Sequence, residues 1–165
     1  MLYPPKDFAR DPTVEVVEFE KDTPALFFLA EGGGVSGWPI HFALLRPGTG
    51  KDLENLLEHG LSVSNQNQHA FWNETTISNS PIFITAEDVW GPDEAHYGEH
   101  RYIVSAYVRT YSFELDDLSY HLADRYMTVR KYELESADIL ASEKPEILAR
   151  LRRVKAEMER ENKAR

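Results

Sequence analysis

The segment RYIVSAYVRTYSFEL (101–115) constrains the fold more than any other stretch of this chain. It is rich in β-branched and aromatic residues and carries neither Gly nor Pro, so it reads as one long strand. Ile103, Tyr107, Tyr111 and Phe113 share one parity and mark one face of it. Other segments offer it strand neighbours. TVEVVEFE (13–20) and ALFFLA (25–30) read as a hairpin with its turn near Asp22-Thr23-Pro24. A further strand runs from Pro39 through IHFALL, and PIFITA (81–86), RYMTVRKYEL (125–134) and SADIL (136–140) follow.

Helical signals are fewer. Leu53, Leu56 and Leu57 share a face at spacings of three and four, which predicts a short helix over 52–59. Thr49 or Asp52 would cap its start, and Gly60 would end it. DDLSYHLAD (116–124) reads as one or two helical turns. EDVWGPDEAHYGEH (87–100) reads as a broken helix or loop, interrupted at Gly91-Pro92. Residues 62–79 read as a long polar loop with Phe71 and Trp72 embedded. From Ser142 on, Pro145 falls in a first turn, and Ile147, Leu151, Val154 and Met158 form an apolar stripe. This predicts a terminal amphipathic helix over 143–165 that packs on the body or pairs two copies as a homodimer. Runs of strands with few helices predict an α+β fold in one domain, 1–165, with a mixed, largely antiparallel sheet.

The formal net charge is -10, and it is uneven. Arg150–Arg165 holds seven Lys/Arg against three Glu, a local +4, which leaves -14 on the rest. Duplex nucleic acid is a poor partner for such a body, because counterion release needs basic surface. A partner with basic surface suits it better. No apolar run approaches the ~18 residues of a membrane span, and the chain opens without the basic-then-apolar pattern of a secretory signal. There is no cysteine, which removes disulfides and thiolate metal sites. A cytoplasmic protein is the expectation.

Several motifs fail on inspection. Gly50-Lys51 is followed by Asp52, and Leu45 stands where a phosphate loop needs glycine. Gly32, Gly34 and Gly37 satisfy the dinucleotide pattern, but Trp38-Pro39 and a strand follow where a helix is required. His96 and His100 are four apart beside Glu94 and Glu99, yet they do not form the HExxH pattern, and no metal is expected. No Gly-x-Ser-x-Gly elbow is present.

The order of features over about 39–140 resembles the ADP-ribosyltransferase-like fold. The residues that carry the resemblance are His41 and Arg46 on an early strand, then LLEHGL, then SPIFITAED, RYIVSAYV and YELES near the end. In YELES, Glu133 and Glu135 are two apart and share a strand face. Only Thr85 stands where that family has a Ser-Thr-Ser strand, and His41 and Arg46 have opposite parity. The resemblance implies a protein that uses NAD, either transferring ADP-ribose to an unknown macromolecular acceptor or hydrolysing NAD. Glu135 would stabilise the positive charge that develops on the ribose, and Glu133 would orient or activate the acceptor. Arg46 or His41 would grip pyrophosphate or ribose. Thr85 would brace the glutamate. Trp72, Phe83 or Tyr97 would stack on nicotinamide. The rival expectation is a non-catalytic acidic binding protein of effector, immunity or inhibitor type, docking a basic partner.

Overall fold

The computed structural model describes residues 8–20, 23–32, 40–48, 52–57, 62–63, 68–95, 98–112, 117–133 and 138–164. They form two five-stranded sheets and one helix. The α+β class and the largely antiparallel pairing are as expected.

The first sheet contains β1 (Phe8–Glu20), β2 (Thr23–Gly32), β3 (Ile40–Pro47) and β4 (Leu53–Asn55) in that order, and β5 (Ser62–Val63) also pairs with β3. β1 and β2 are the expected hairpin, with Glu20 opposite Thr23. The period of two divides this sheet cleanly. Phe27, Phe42 and Leu44 point to one face and are buried with Phe19, Leu56, Leu57 and Tyr120. Phe27 and Phe42 stack with centroids 5.6 Å apart. Val14, Phe28 and Ala43 line up across the other face, as do Val16, Leu26 and Leu45.

The second sheet runs β10 (Tyr132–Glu133), β8 (Glu99–Ser112), β7 (Ile82–Val89) and β6 (Gln68–Trp72), with β9 (Asp117–Met127) also pairing with β8. The long strand read at 101–115 is β8 as far as Ser112, and 113–115 lie outside the described residues. One face lies under α1 (Ile139–Ala164), where Ile82, Ile84, Ala86, Tyr102, Val104 and Ala106 meet Ile139, Leu140, Ile147 and Leu151 in one core. By its contacts the chain divides into two compact units. The first is 1–67 with 110–120, and the second is 68–109 with 121–165.

The expected short helices are not found among the described residues. Leu53–Asn55 is a strand rather than the start of a helix. The Leu56 N–H donates to the Leu44 carbonyl, and the Asn55 side chain accepts from Leu44 N–H and Leu57 N–H. An eight-residue helix is marginal in water, so pairing along β3 wins. Residues 117–124 belong to β9. Leu118 and Leu122 are four apart, a spacing that also keeps one strand parity, and both are exposed. Within the expected loop 62–79 lie β5 and β6. The strand expected over 125–134 breaks after Met127 and resumes at Tyr132.

The helix begins at Ile139, inside the strand expected at 136–140. Asp138 caps it by accepting from Ala141 N–H at 2.9 Å. Gln68 of β6 accepts from the free N–H groups of Ile139 and Leu140, at 2.7 and 3.2 Å. That second cap comes from a residue 71 positions away, so local pattern cannot reveal it. Pro145 therefore lies in the helix interior. It cannot donate to the Ala141 carbonyl, but Ala141 is exposed and water can.

Candidate functional site

The residues named from sequence fall in different parts of the chain. His41 and Arg46 both lie on β3, in the first unit. Arg46 shares the face of Phe42 and Leu44, is half-buried, and donates from Nε to Glu54 Oε2 at 2.8 Å. Glu54 is its register partner on β4. His41 has the opposite parity and lies across from Ala30 and Ser62.

The other described candidates lie in the second unit. Phe83 and Thr85 sit on β7 across from Tyr107 and Ser105, and both are buried. The Phe83 ring is flanked by Phe71 and Tyr107 at 4.8 and 5.9 Å. Trp72 has Lys144 Nζ over its ring at 4.8 Å. Glu133 is exposed on β10, opposite Glu99. Glu135, Tyr97 and His96 lie outside the described residues.

The structure assembles a group that sequence reading saw only in part. β7 ends at Val89, and Asp88 on it is opposite Tyr102. His100 on β8 is opposite Tyr132. These even-numbered residues put Asp88 and His100 on the α1 side of the sheet. The chain turns at Gly91-Pro92, where the Glu94 carboxylate accepts from Gly91 N–H at 2.9 Å and from Lys131 Nζ at 2.5 Å. The Trp90 ring meets His100 edge-on at 5.9 Å.

His100 is 0 % exposed and lies 3.5 Å from Glu94 Oε2. No hydrogen bond forms across that contact. Neither His100 ring nitrogen, nor Asp88 Oδ2, has a hydrogen-bond partner among the described residues. Burial pushes the Asp88 carboxyl up to about 6, against the pull of a backbone hydrogen bond and the His100 charge. Lys131 and then Gly91 N–H pull Glu94 down to about 2. Two carboxyls set this far apart are the usual raw material of acid–base chemistry. Here Asp88 and His100 are closed to solvent, at 7 and 0 % exposure, so neither is presented to a substrate. Among the described residues no set of three or more acids and histidines is arranged to hold a metal. Glu94 and His100 stood out in the sequence; Asp88 and Lys131 join them only through strand register.

No known family, curated protein or solved structure matches this chain. The resemblance to ADP-ribosyltransferases therefore rests on the quoted residues alone.

A different surface is open. On the outer face of the first sheet, Val14, Val16, Leu26 and Leu53 are 58, 73, 39 and 53 % exposed, with Phe28, Ala43 and Leu45 half-buried among them. Glu18, with the strand parity of Val14 and Val16, and Asp52 beside Leu53 are exposed, whereas Glu15 belongs to the opposite face. The first unit carries five Lys/Arg and thirteen Asp/Glu, a net -8 of the chain's -10. No helix among the described residues is long and apolar enough to cross a membrane.

Proposed function

We propose that the chain is a non-catalytic binding protein that docks a basic protein partner on the outer face of its first sheet. The observation that carries it is the joint exposure of Val14, Val16, Leu26 and Leu53 on one face of a unit with net charge -8. Single exposed apolar residues are ordinary, but a contiguous set rimmed by charge marks an interaction surface. A partner with an apolar centre ringed by Lys and Arg would bury the valines and meet Glu18, which shares their strand parity, and Asp52. The test uses an immobilised amphipathic leucine–lysine helical peptide as probe. The expected outcome is affinity of about micromolar order at low salt and at least about tenfold weaker in 0.5 M NaCl. Val16→Glu should abolish it without loss of thermal stability. Undiminished binding by that variant sinks the proposal.

The transferase reading stands as the alternative on one observation. Arg46 lies near the end of β3 on the same face as Phe42 and Leu44, the position the resemblance gives to the NAD-binding cation. Nicotinamide release on incubation with NAD, lost in Glu135→Gln, would replace the binding-only reading. Absence of release, with no thermal shift on adding NAD, removes the alternative.

A further inference from the structure

We infer that the occupant of this face is the C-terminal half of α1 from a second copy of the same chain; the inference rests on the docking reading above. A helix of 26 residues is about 39 Å long. The apolar side chains it places in the core of the second sheet are Ile139, Leu140, Ile147 and Leu151; beyond them Lys155 Nζ donates to the Thr76 carbonyl at 2.9 Å. Beyond Leu151 the exposed residues include Arg152, Arg153, Glu157 and Arg160. The apolar stripe nevertheless continues, through half-buried Val154 to Met158, which is 49 % exposed. A helical segment of this length is marginal in water without something to pack on.

Charge identifies the partner. Arg150–Arg165 has seven Lys/Arg against three Glu, so it is the one strongly basic stretch of an otherwise acidic chain. The first unit, at -8, is its complement. Val16 and Met158 are both exposed in the single chain, so neither is already covered. Methionine is a flexible side chain that adapts to irregular apolar surfaces such as the Val14–Val16–Leu26 floor. Arg152, Arg153, Arg160 and Lys163 can then reach the acids around that floor. The contact joins two different surfaces, so each copy offers one of each kind.

That geometry gives a complementation test with the full chain. Sedimentation velocity at about 100 μM and low salt should show wild-type self-association. It should weaken at least tenfold between about 50 and about 500 mM NaCl. Val16→Glu damages only the sheet surface and Met158→Glu only the helix surface, so each alone should be monomeric with unchanged circular dichroism. An equimolar mixture keeps one good surface of each kind and should form 1:1 dimers. A monomeric wild type overturns the inference, and so does association that survives Met158→Glu. The same Met158→Glu protein should still bind the leucine–lysine peptide. If it does while wild type stays monomeric, the docking face stands and the second copy falls. If Val16→Glu leaves peptide binding intact, the docking face itself falls.

Discussion

The two sheets are built from similar apolar strands and differ in what covers them. On β7, Ile82, Ile84 and Ala86 are fully buried in one core with residues of α1. On β1 and β2, Val14, Val16 and Leu26 occupy equivalent pleat positions and are exposed. The second unit closes its apolar face within its own chain, aided by Glu143 in the second turn of α1. That carboxylate accepts from Tyr126 Oη at 2.8 Å and from Tyr132 Oη. Burial, followed by those hydrogen bonds, raises the Tyr126 hydroxyl far above its ordinary range and Tyr132 to about 12. Both tyrosines therefore stay protonated and donate. In the first unit Val14, Val16 and Leu26 are exposed instead, and that unit also holds most of the net charge. An apolar face left open on a strongly charged unit suits a surface kept for another molecule.

The largest test of this contrast is a pair of truncations. Ile147→Ala removes a fully buried side chain from under the helix and should cost about 3 kcal/mol. Val16→Ala removes a side chain already in solvent and should stay within about 0.5 kcal/mol. Urea denaturation of both variants measures it. With the chain at about 1 μM, well below its self-association range, a loss at Val16 comparable with that at Ile147 would mean that the first sheet is covered within the single chain.

How far the sequence disclosed this contrast depends on the range of the contacts. The β1–β2 hairpin and β8 were legible because their signals, turn residues and alternation, are local. The reading of 52–59 misled because Leu53, Leu56 and Leu57 have helical spacing while backbone pairing decides, and pairing decides again over the described part of 116–124. The parallel bridge between Leu57 and Tyr120 and the Tyr120 N–H to Leu56 carbonyl bond tie these two segments across 63 residues of sequence. The acidity and the basic tail were visible at once. The open face was not, because Val14, Val16 and Leu26 look like any other strand residues until register shows which side is covered. The closed polar group was half visible: Glu94 and His100 are near in sequence, whereas Lys131 lies 37 residues from Glu94.

A smaller effect separates the units by pH. Asp88 has a folded value of about 6 against 3.8 in its unperturbed state, so the folded form binds its proton more tightly. Its contribution to stability is fully present below pH 3.8 and is lost as pH rises through 6. Glu94 has the opposite sign: its contribution is present above pH 4.5 and lost as pH falls towards 2. Stability of the second unit should therefore rise from pH 7 to about pH 4.5, by an amount on the order of 2 kcal/mol. Asp88→Asn should flatten that rise. His100→Leu should be neutral or stabilising at pH 8, since it replaces an imidazole whose nitrogens make no described hydrogen bond. Hydrogen exchange resolved by segment would read both units at once, and an equal pH response in β1–β3 would break the assignment to Asp88.

The smallest effect compares one ion pair in each unit. Arg150 holds Asp124 with two contacts, Nε to Oδ2 at 2.5 Å and Nη2 to Oδ1 at 3.1 Å, and its guanidinium lies over the Tyr126 ring at 4.5 Å. Arg46 meets Glu54 through Nε alone, and Glu54 is the more exposed carboxylate. A two-pronged, ring-backed pair loses less side-chain freedom than it would as a single contact, and the shielded carboxylate is less screened. Double-mutant cycles should then give a coupling of about 1 kcal/mol for Arg150–Asp124 and no more than about 0.5 kcal/mol for Arg46–Glu54, both falling with salt. Arg46 is also the cation that the transferase alternative would free for NAD. If its coupling to Glu54 proved the larger of the two, Arg46 would be fixed in a structural role, and that alternative would lose the one observation in its favour.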